Sequence, residues 1–441
     1  MTSTSRLTGE LTGTVLRRGD AGYDRARAVF NGMIDRRPAV IVGCREPGDV
    51  ARGIRYAREH GLALSVRGGG HNVAGTAVCE GGLMLDLSPM RTVEVDPDAR
   101  TARAGGGALL GDLDGATRAF GLATPLGVMS GTGIAGLTLG GGLGWLAPRY
   151  GLSCDNLIDA QLVTADGTLL DGVDDDLLWG LRGGGGNFGV VTTFTYRLHP
   201  VDTVLAGALG FPWEAAGEVL RAHDDLVATA PDELATAVSL AWGPSGRPAL
   251  TIALCWCGPP GAAGPVLRPL RRLHPDLDAV AEQPFADWQR VPDAGYPPGR
   301  LHYWRSACLR HLTDPAIRTL LEVTEAMPPG DSGIGLQGLR GAAARVAPGA
   351  TAFPHRAPQY DFLVLAQWPD PADSPRHVAW ARAASAAMRP HLEAGVYVNN
   401  LGAEGRDRVH AAYGTNYARL VELKRRLDPN NVFRANQNVV P

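Results

Sequence analysis

Short apolar runs alternate with longer amphipathic stretches through the first two hundred residues. The run 39–43 (Ala-Val-Ile-Val-Gly) reads as a buried strand. Residues 47–60 read as a helix, with Pro47 in its first turn and Gly61 as its stop. A second apolar strand, 62–66, then closes a β-α-β unit and feeds directly into three glycines. Further strands are predicted at 84–87 and 101–104, and a helix at 108–120 ended by Gly121. Residues 159–169 predict a hairpin turning at Asp166-Gly167. A short helix with an acidic first turn follows at 174–182. The run 190–198 is the strongest strand signal in the chain, and Pro200 ends it.

Beyond residue 200 the pattern changes. Helical stretches at 213–228, 316–326 and 376–393 alternate with strands at 234–242, 249–257 and 362–368, separated by Pro- and Gly-rich loops. That order predicts an α+β unit, a sheet with helices on one face. A terminal helix, 413–427, is stopped by Asp428-Pro429.

Composition narrows the picture. A chain of 441 residues implies two or three domains. Gly at 58 is nearly twice the usual share and lies in clusters without a period, which excludes collagen-like and repeat architectures. A net charge of −3 gives no electrostatic case for nucleic acid or a membrane surface. Residues 1–20 are polar and lack the apolar core of a signal peptide, so a cytoplasmic protein is expected. The six cysteines are therefore not read as a disulfide framework. Cys255-x-Cys257 sits in an apolar strand with no second Cys or His pair nearby, so no metal site is expected.

Glycine marks the candidate chemistry. Arg67-Gly68-Gly69-Gly70-His71-Asn72 leaves a strand as a turn whose bare backbone can approach a ligand closely, and a histidine closes it. Taken alone, this run is a glycine-rich turn with a polar neighbour. Gly131-x-Gly133-x-x-Gly136 fits the dinucleotide fingerprint, with Asp155 about twenty residues on. The context argues against a nicotinamide site: residues 123–130 contain Pro and Gly, and 139–144 is too glycine-dense for a phosphate-holding helix. Extended glycine-rich backbone is expected there.

Four segments resemble one family. The loop SVRGGGHNVAG, the run TGIAGLTLGGGLGWLAPRYGLSCDNL (132–157), RGGGGNFGVVT (182–192) and the tail NYARLVELKRRLDPNNVFRANQNV (416–439) are similar to the berberine bridge enzyme-like FAD-linked oxidases of the vanillyl-alcohol oxidase group. The motifs sit nearest to the monocovalent bacterial members. The resemblance implies an α+β protein with a two-part PCMH-type FAD-binding domain (1–200 and 401–441). It also implies an α+β substrate domain (201–400) whose antiparallel sheet, roofed by helices, covers the flavin. It implies FAD joined to the His71 ring through the flavin 8α carbon. It places Arg67, Gly68, Gly69, Gly70, Asn72, Gly75, Thr132, Gly133, Gly136, Leu137, Gly141, Gly142, Cys154, Asn187, Gly189, Val191, Asn436 and Asn438 around the cofactor. Where bicovalent relatives carry a second, cysteine link, this chain has Met129; Cys154 belongs to a motif that monocovalent members share, so one link is expected.

By the same resemblance Tyr397-Val398-Asn399-Asn400 is a strand facing the flavin, with Tyr397 and Asn399 on one face. Asn400 replaces the aromatic residue expected there. Tyr397 reads equally as a packed aromatic. Tyr303 is a further catalytic candidate, with Gln367 and His355 behind it, and Thr132 occupies the position that controls oxygen access in relatives. Three classes stay open. The first is an oxidase of a small molecule in secondary metabolism that uses O2 and releases H2O2. The second is an oxygenase or oxidative cyclase working through a flavin N5-oxide, and the third is a flavin-holding protein with little turnover. Neither substrate nor oligomeric state follows from the sequence.

Overall fold

A computed structural model describes residues 9, 11–357 and 359–441; most of the first ten residues of the polar N-terminal stretch lie outside it. Two small sheets and a short pairing of Leu122–Ala123 with His199–Pro200 form the first half. In one, Val40–Gly43 and Leu64–Arg67 both pair in parallel with Leu83–Asp86, and Thr14–Leu16 adds an antiparallel edge. The β-α-β unit is therefore open: its two strands are separated by Leu83–Asp86, a strand contributed after the glycine loop. Helix Pro47–Glu59 covers this sheet through Val50, Ile54 and Ala57, packing on Leu83 and Leu85.

The other sheet is antiparallel, in the order Val93–Asp96, Thr101–Gly105, Val190–Arg197, Leu157–Val163, Leu169–Asp171. The strand that the sequence marks most strongly sits at its centre. Phe194 and Tyr196 point into a core closed by Leu110, Leu113, Trp179 and the C-terminal helix residues Leu420 and Leu423. The chain re-enters this core at Val396, Val398 and Leu401, slightly before the sequence boundary at 401.

The middle third is one antiparallel sheet, ordered Leu277–Asp278, Thr203–Phe211, Pro248–Trp256, Leu234–Trp242, Gly333–Leu339, Gln359–Trp368, Leu301–Leu309, with Ala281–Pro284 also on Thr203–Phe211. Helices Ala216–Thr229, Ala263–Arg271, Asp314–Glu325 and Ser374–Met388 cover one face. Strand period two sorts the side chains. Val238, Leu240, Phe362 and Val364 face the helices, while Ala237, Ser239, Ala241, Leu363 and Leu365 face a cavity. The terminal helix begins at Tyr417, after a separate helix Arg406–Tyr413, because Gly414 breaks the run at φ +47°.

Candidate active site

The cavity, of about 580 Å³, lies under the roof sheet and runs down between the glycine loops. That volume falls in the range for cofactor and small-molecule sites, about 300–1,000 Å³. Strand Leu64–Arg67 delivers the first loop. Arg67 itself stays out of the cavity wall: its Nε and Nη2 pair with both Asp86 oxygens at 3.0 and 2.5 Å, and Nη1 reaches Ala28 O at 3.0 Å. That clamp fixes where the glycines start. Gly69 then packs backbone to backbone on Gly133; a Cβ on Gly69 would lie 2.3 Å from Gly133 N. Gly68, Gly69, Gly70, His71 and Asn72 all line the cavity. Burial pushes the His71 imidazole down to about 4, so the ring is uncharged at neutral pH.

Thr132, Gly133, Gly136 and Leu137 form the facing wall, Gly189 and Val191 come from the long strand, and Asn436 from the tail. The expected extended backbone is corrected here: Ile134–Leu139 is a short helix, and the Gly-rich run turns only at Gly140–Gly142. Its apolar residues Ile134 and Leu139 bury against the sheet core, which offsets the poor propensity of Gly136. A Cβ on Gly136 or Gly186 would meet nothing within 4 Å among the described residues, so both expose bare backbone to the cavity. The Asn436 side-chain oxygen is buried at the same wall without a partner among the described residues. A flat ligand with polar edges fits this lining.

Seven residues expected at the cofactor lie behind the wall. Gly75 packs on Ile34, and Gly141 on Phe353 and Tyr397. Gly142 donates its N–H to the Tyr397 hydroxyl at 2.9 Å. Asn187 staples the tail, donating to Gly184 O at 2.8 Å and Gln437 O at 3.3 Å and accepting from Val439 N at 3.0 Å. Asn438 and Arg67 stand outside the lining. Cys154 is fully buried among Leu143, Leu152 and Phe353, and burial raises its thiol well above the ordinary range. These positions shape the loops from behind; motif matching does not separate that from touching the ligand.

Tyr397 and Asn399 do line the cavity, but not from a strand. Val398–Asn400 is a 3-10 turn, because the chain here joins the core around strand Val190–Arg197 and, among the described residues, pairs with no sheet. The two side chains meet through the turn: Asn399 Nδ2 donates to the Tyr397 hydroxyl at 2.8 Å and to Leu137 O at 2.9 Å. Burial pushes the Tyr397 phenol up to about 12, so it keeps its proton at neutral pH.

The roof corrects the remaining candidates. Tyr303 faces the helices, where its hydroxyl accepts from Arg305 at 2.5 Å and Arg382 at 3.0 Å, because strand alternation sends Trp304 to the cavity instead. Gln367 Nε2 is spent on Gly295 O at 2.9 Å, and His355 Nε2 lies 3.0 Å from the Ala411 and Ala412 carbonyls; neither lines the cavity. Sequence reasoning missed Asp361. It is buried at the cavity roof, its carboxylate accepting from Ser306 Oγ at 2.9 Å and Asn400 Nδ2 at 2.5 Å. Burial, partly offset by those two hydrogen bonds, raises its pKa to about 7. The signal was an acid inside an otherwise apolar strand; the predicted strand began one residue too late, at 362.

Comparison with known proteins decides the family. Residues 38–172 match the model of an FAD binding domain, and 396–440 match that of the berberine and berberine-like segment. An uncharacterized FAD-linked oxidoreductase of Bacillus subtilis is 31% identical over 98% of both chains. The chain belongs to the berberine bridge enzyme-like FAD-linked oxidoreductases. The (R)-6-hydroxynicotine oxidase of Paenarthrobacter nicotinovorans is 32% identical over 98% of this chain and 97% of its own. The crystal structure of 6-hydroxy-D-nicotine oxidase from Arthrobacter nicotinovorans superposes with a TM-score of 0.91 at 30% identity, covering 98% of both chains. The fold is thus the α+β, PCMH-type architecture of these flavoproteins, and the protein is an FAD-linked oxidoreductase.

Proposed function

We propose that this oxidoreductase is an oxidase of a small organic molecule, with FAD tethered to His71 and O2 as the electron acceptor, releasing H2O2. The observation that carries this reading is the pairing of two groups on one cavity wall system: an uncharged, half-buried His71 on a bare glycine loop, and a buried Asp361 poised near pH 7 on the roof. Gly68–Gly70, Gly133, Gly136, Gly189, Val191 and Asn436 would hold FAD, which supplies a two-electron acceptor when bound. Arg67, Gly142 and Asn187 hold the loops that hold it.

Asp361 is the base in this reading. As a carboxylate it accepts the proton of a substrate O–H or N–H, while Ser306 and Asn400 each hold one of its oxygens in place at the cavity roof. Tyr397, protonated and fixed by Asn399 and Gly142, packs and orients rather than titrates. Leu363, Leu365 and Trp304 give the substrate an apolar ceiling that limits water. Thr132, small and on the wall, leaves room for O2. The test is a panel of alcohols and amines with the purified protein, following O2 consumption and H2O2 release together. Equal amounts support the oxidase reading, whereas oxygen from labelled O2 appearing in the product would replace it with an oxygenase.

A further inference from the structure

Among the described residues the His71 imidazole is held by a ring face rather than by a side-chain hydrogen bond. Phe30 stacks on it with ring centroids 3.9 Å apart and planes 15° apart. On its opposite contact Phe30 stacks on His302 of the roof sheet, 4.3 Å away at 19°. Trp304 closes the group edge-on, 6.3 Å from Phe30 and 5.9 Å from His302. The two ring nitrogens of His302 are buried and have no hydrogen-bond partner among the described residues, so what this side chain contributes to its surroundings is its flat face.

The backbone around the stack is tied to both sides of the attachment loop. Phe30 N–H donates to Gly70 O at 3.0 Å, directly before His71. Asn31 Nδ2 donates to Val73 O at 2.8 Å, directly after the loop, and to His302 O at 3.0 Å. Asn31 Oδ1 accepts from His302 N–H at 3.0 Å. One short segment thus clamps the loop at both ends and docks it on the roof strand Leu301–Leu309.

We infer that Phe30 and His302 are positioning residues for cofactor attachment, setting the plane of the His71 ring so that its nitrogen meets the flavin methyl carbon once the roof is docked. The inference rests on the tethered-flavin reading above. Attachment joins an imidazole nitrogen to the 8α carbon. The N–H proton and one C–H proton leave, two electrons stay on the flavin ring, and O2 takes them up as H2O2. A nitrogen attacking carbon needs its lone pair in the ring plane directed at that carbon, and a freely turning ring spends little time so aligned. The stack removes that rotation.

The experiment follows attachment, not turnover. The full chain, produced under riboflavin limitation, is given FAD; reversible binding is read by flavin fluorescence, and attached flavin by mass and by colour in acid-precipitated protein. Phe30→Leu keeps apolar volume but loses the ring. It is expected to bind FAD reversibly yet attach it about 10–100-fold more slowly than the unaltered chain. Phe30→Tyr and His302→Phe, which keep the faces, stay close to the unaltered rate, while His302→Ala slows it. If Phe30→Leu attaches FAD at the unaltered rate, or His302→Phe is as slow as His302→Ala, the stack is not the positioning device. If the unaltered chain itself attaches no flavin, the tethered-flavin reading fails and the inference with it.

Discussion

At the scale of single residues, Asp361 carries the most specific expectation. Its folded pKa near 7 stands above the ordinary carboxyl value because burial penalises the charge more than Ser306 and Asn400 favour it. As the proposed base, it would be inactive when protonated, so kcat/KM should rise with pH and level off above about 7. Asp361→Asn should cost about 10²–10⁴-fold and flatten that profile. The sign for stability is opposite. A raised carboxyl pKa means that folding is penalised as pH climbs from about 4 to 7, by up to about 4 kcal/mol. Thermal melts of Asp361→Asn should therefore gain on the parent at pH 8 and not at pH 4; equal shifts at both would show that the carboxyl is not desolvated. Gly140 offers a steric counterpart. A Cβ there would lie 2.0 Å from Asn399 Oδ1, so Gly140→Ala should displace Asn399 and destabilise by about 1–3 kcal/mol in denaturant titration.

At the scale of elements, the tail is pinned by a buried ion pair. Lys424 Nζ donates to Asp428 at 2.6 Å and to the Asn187 and Phe433 carbonyls at 2.9 Å, while Asp428 accepts from Val432 and Phe433 N–H groups. Lys424→Met would leave Asp428 buried and unpaired, and chemical denaturation should show a loss of about 3–5 kcal/mol. The elements that the sequence revealed are those with a strong local signal. Leu234–Trp242 was legible to the residue, and helix Asp175–Leu181 announced itself by its acidic first turn, with Asp174 found to be its cap rather than its first residue. Strands Thr203–Phe211, Leu301–Leu309 and Gly333–Leu339 were not seen. Two carry several glycines, and all three form through partners distant in sequence, which local propensity does not report. Tyr303 was misassigned for want of a phase: alternation is readable, but which parity faces the cavity depends on the helices packed behind. Tyr397 and Asn399 were read as neighbours and are neighbours, although a turn rather than a strand brings them together.

At the scale of the whole molecule, two sheets of bare-backboned loops and a helix-backed roof enclose one cavity, and each part contributes what the others lack. The loops offer close approach and an uncharged imidazole in His71, the proposed attachment point; the roof offers apolar cover and the buried acid Asp361. The motif resemblance located the loops because their glycines are required by contacts such as Gly69 on Gly133. It could not locate Asp361, which lies in the third of the chain where the resemblance is weakest. The most direct test of the whole account is acid precipitation of the freshly purified protein and of its His71→Ala variant. The account predicts a yellow pellet whose mass exceeds the chain by one FAD, and a colourless pellet from the variant. A colourless pellet from the unaltered protein, with all pigment in the supernatant, would contradict it.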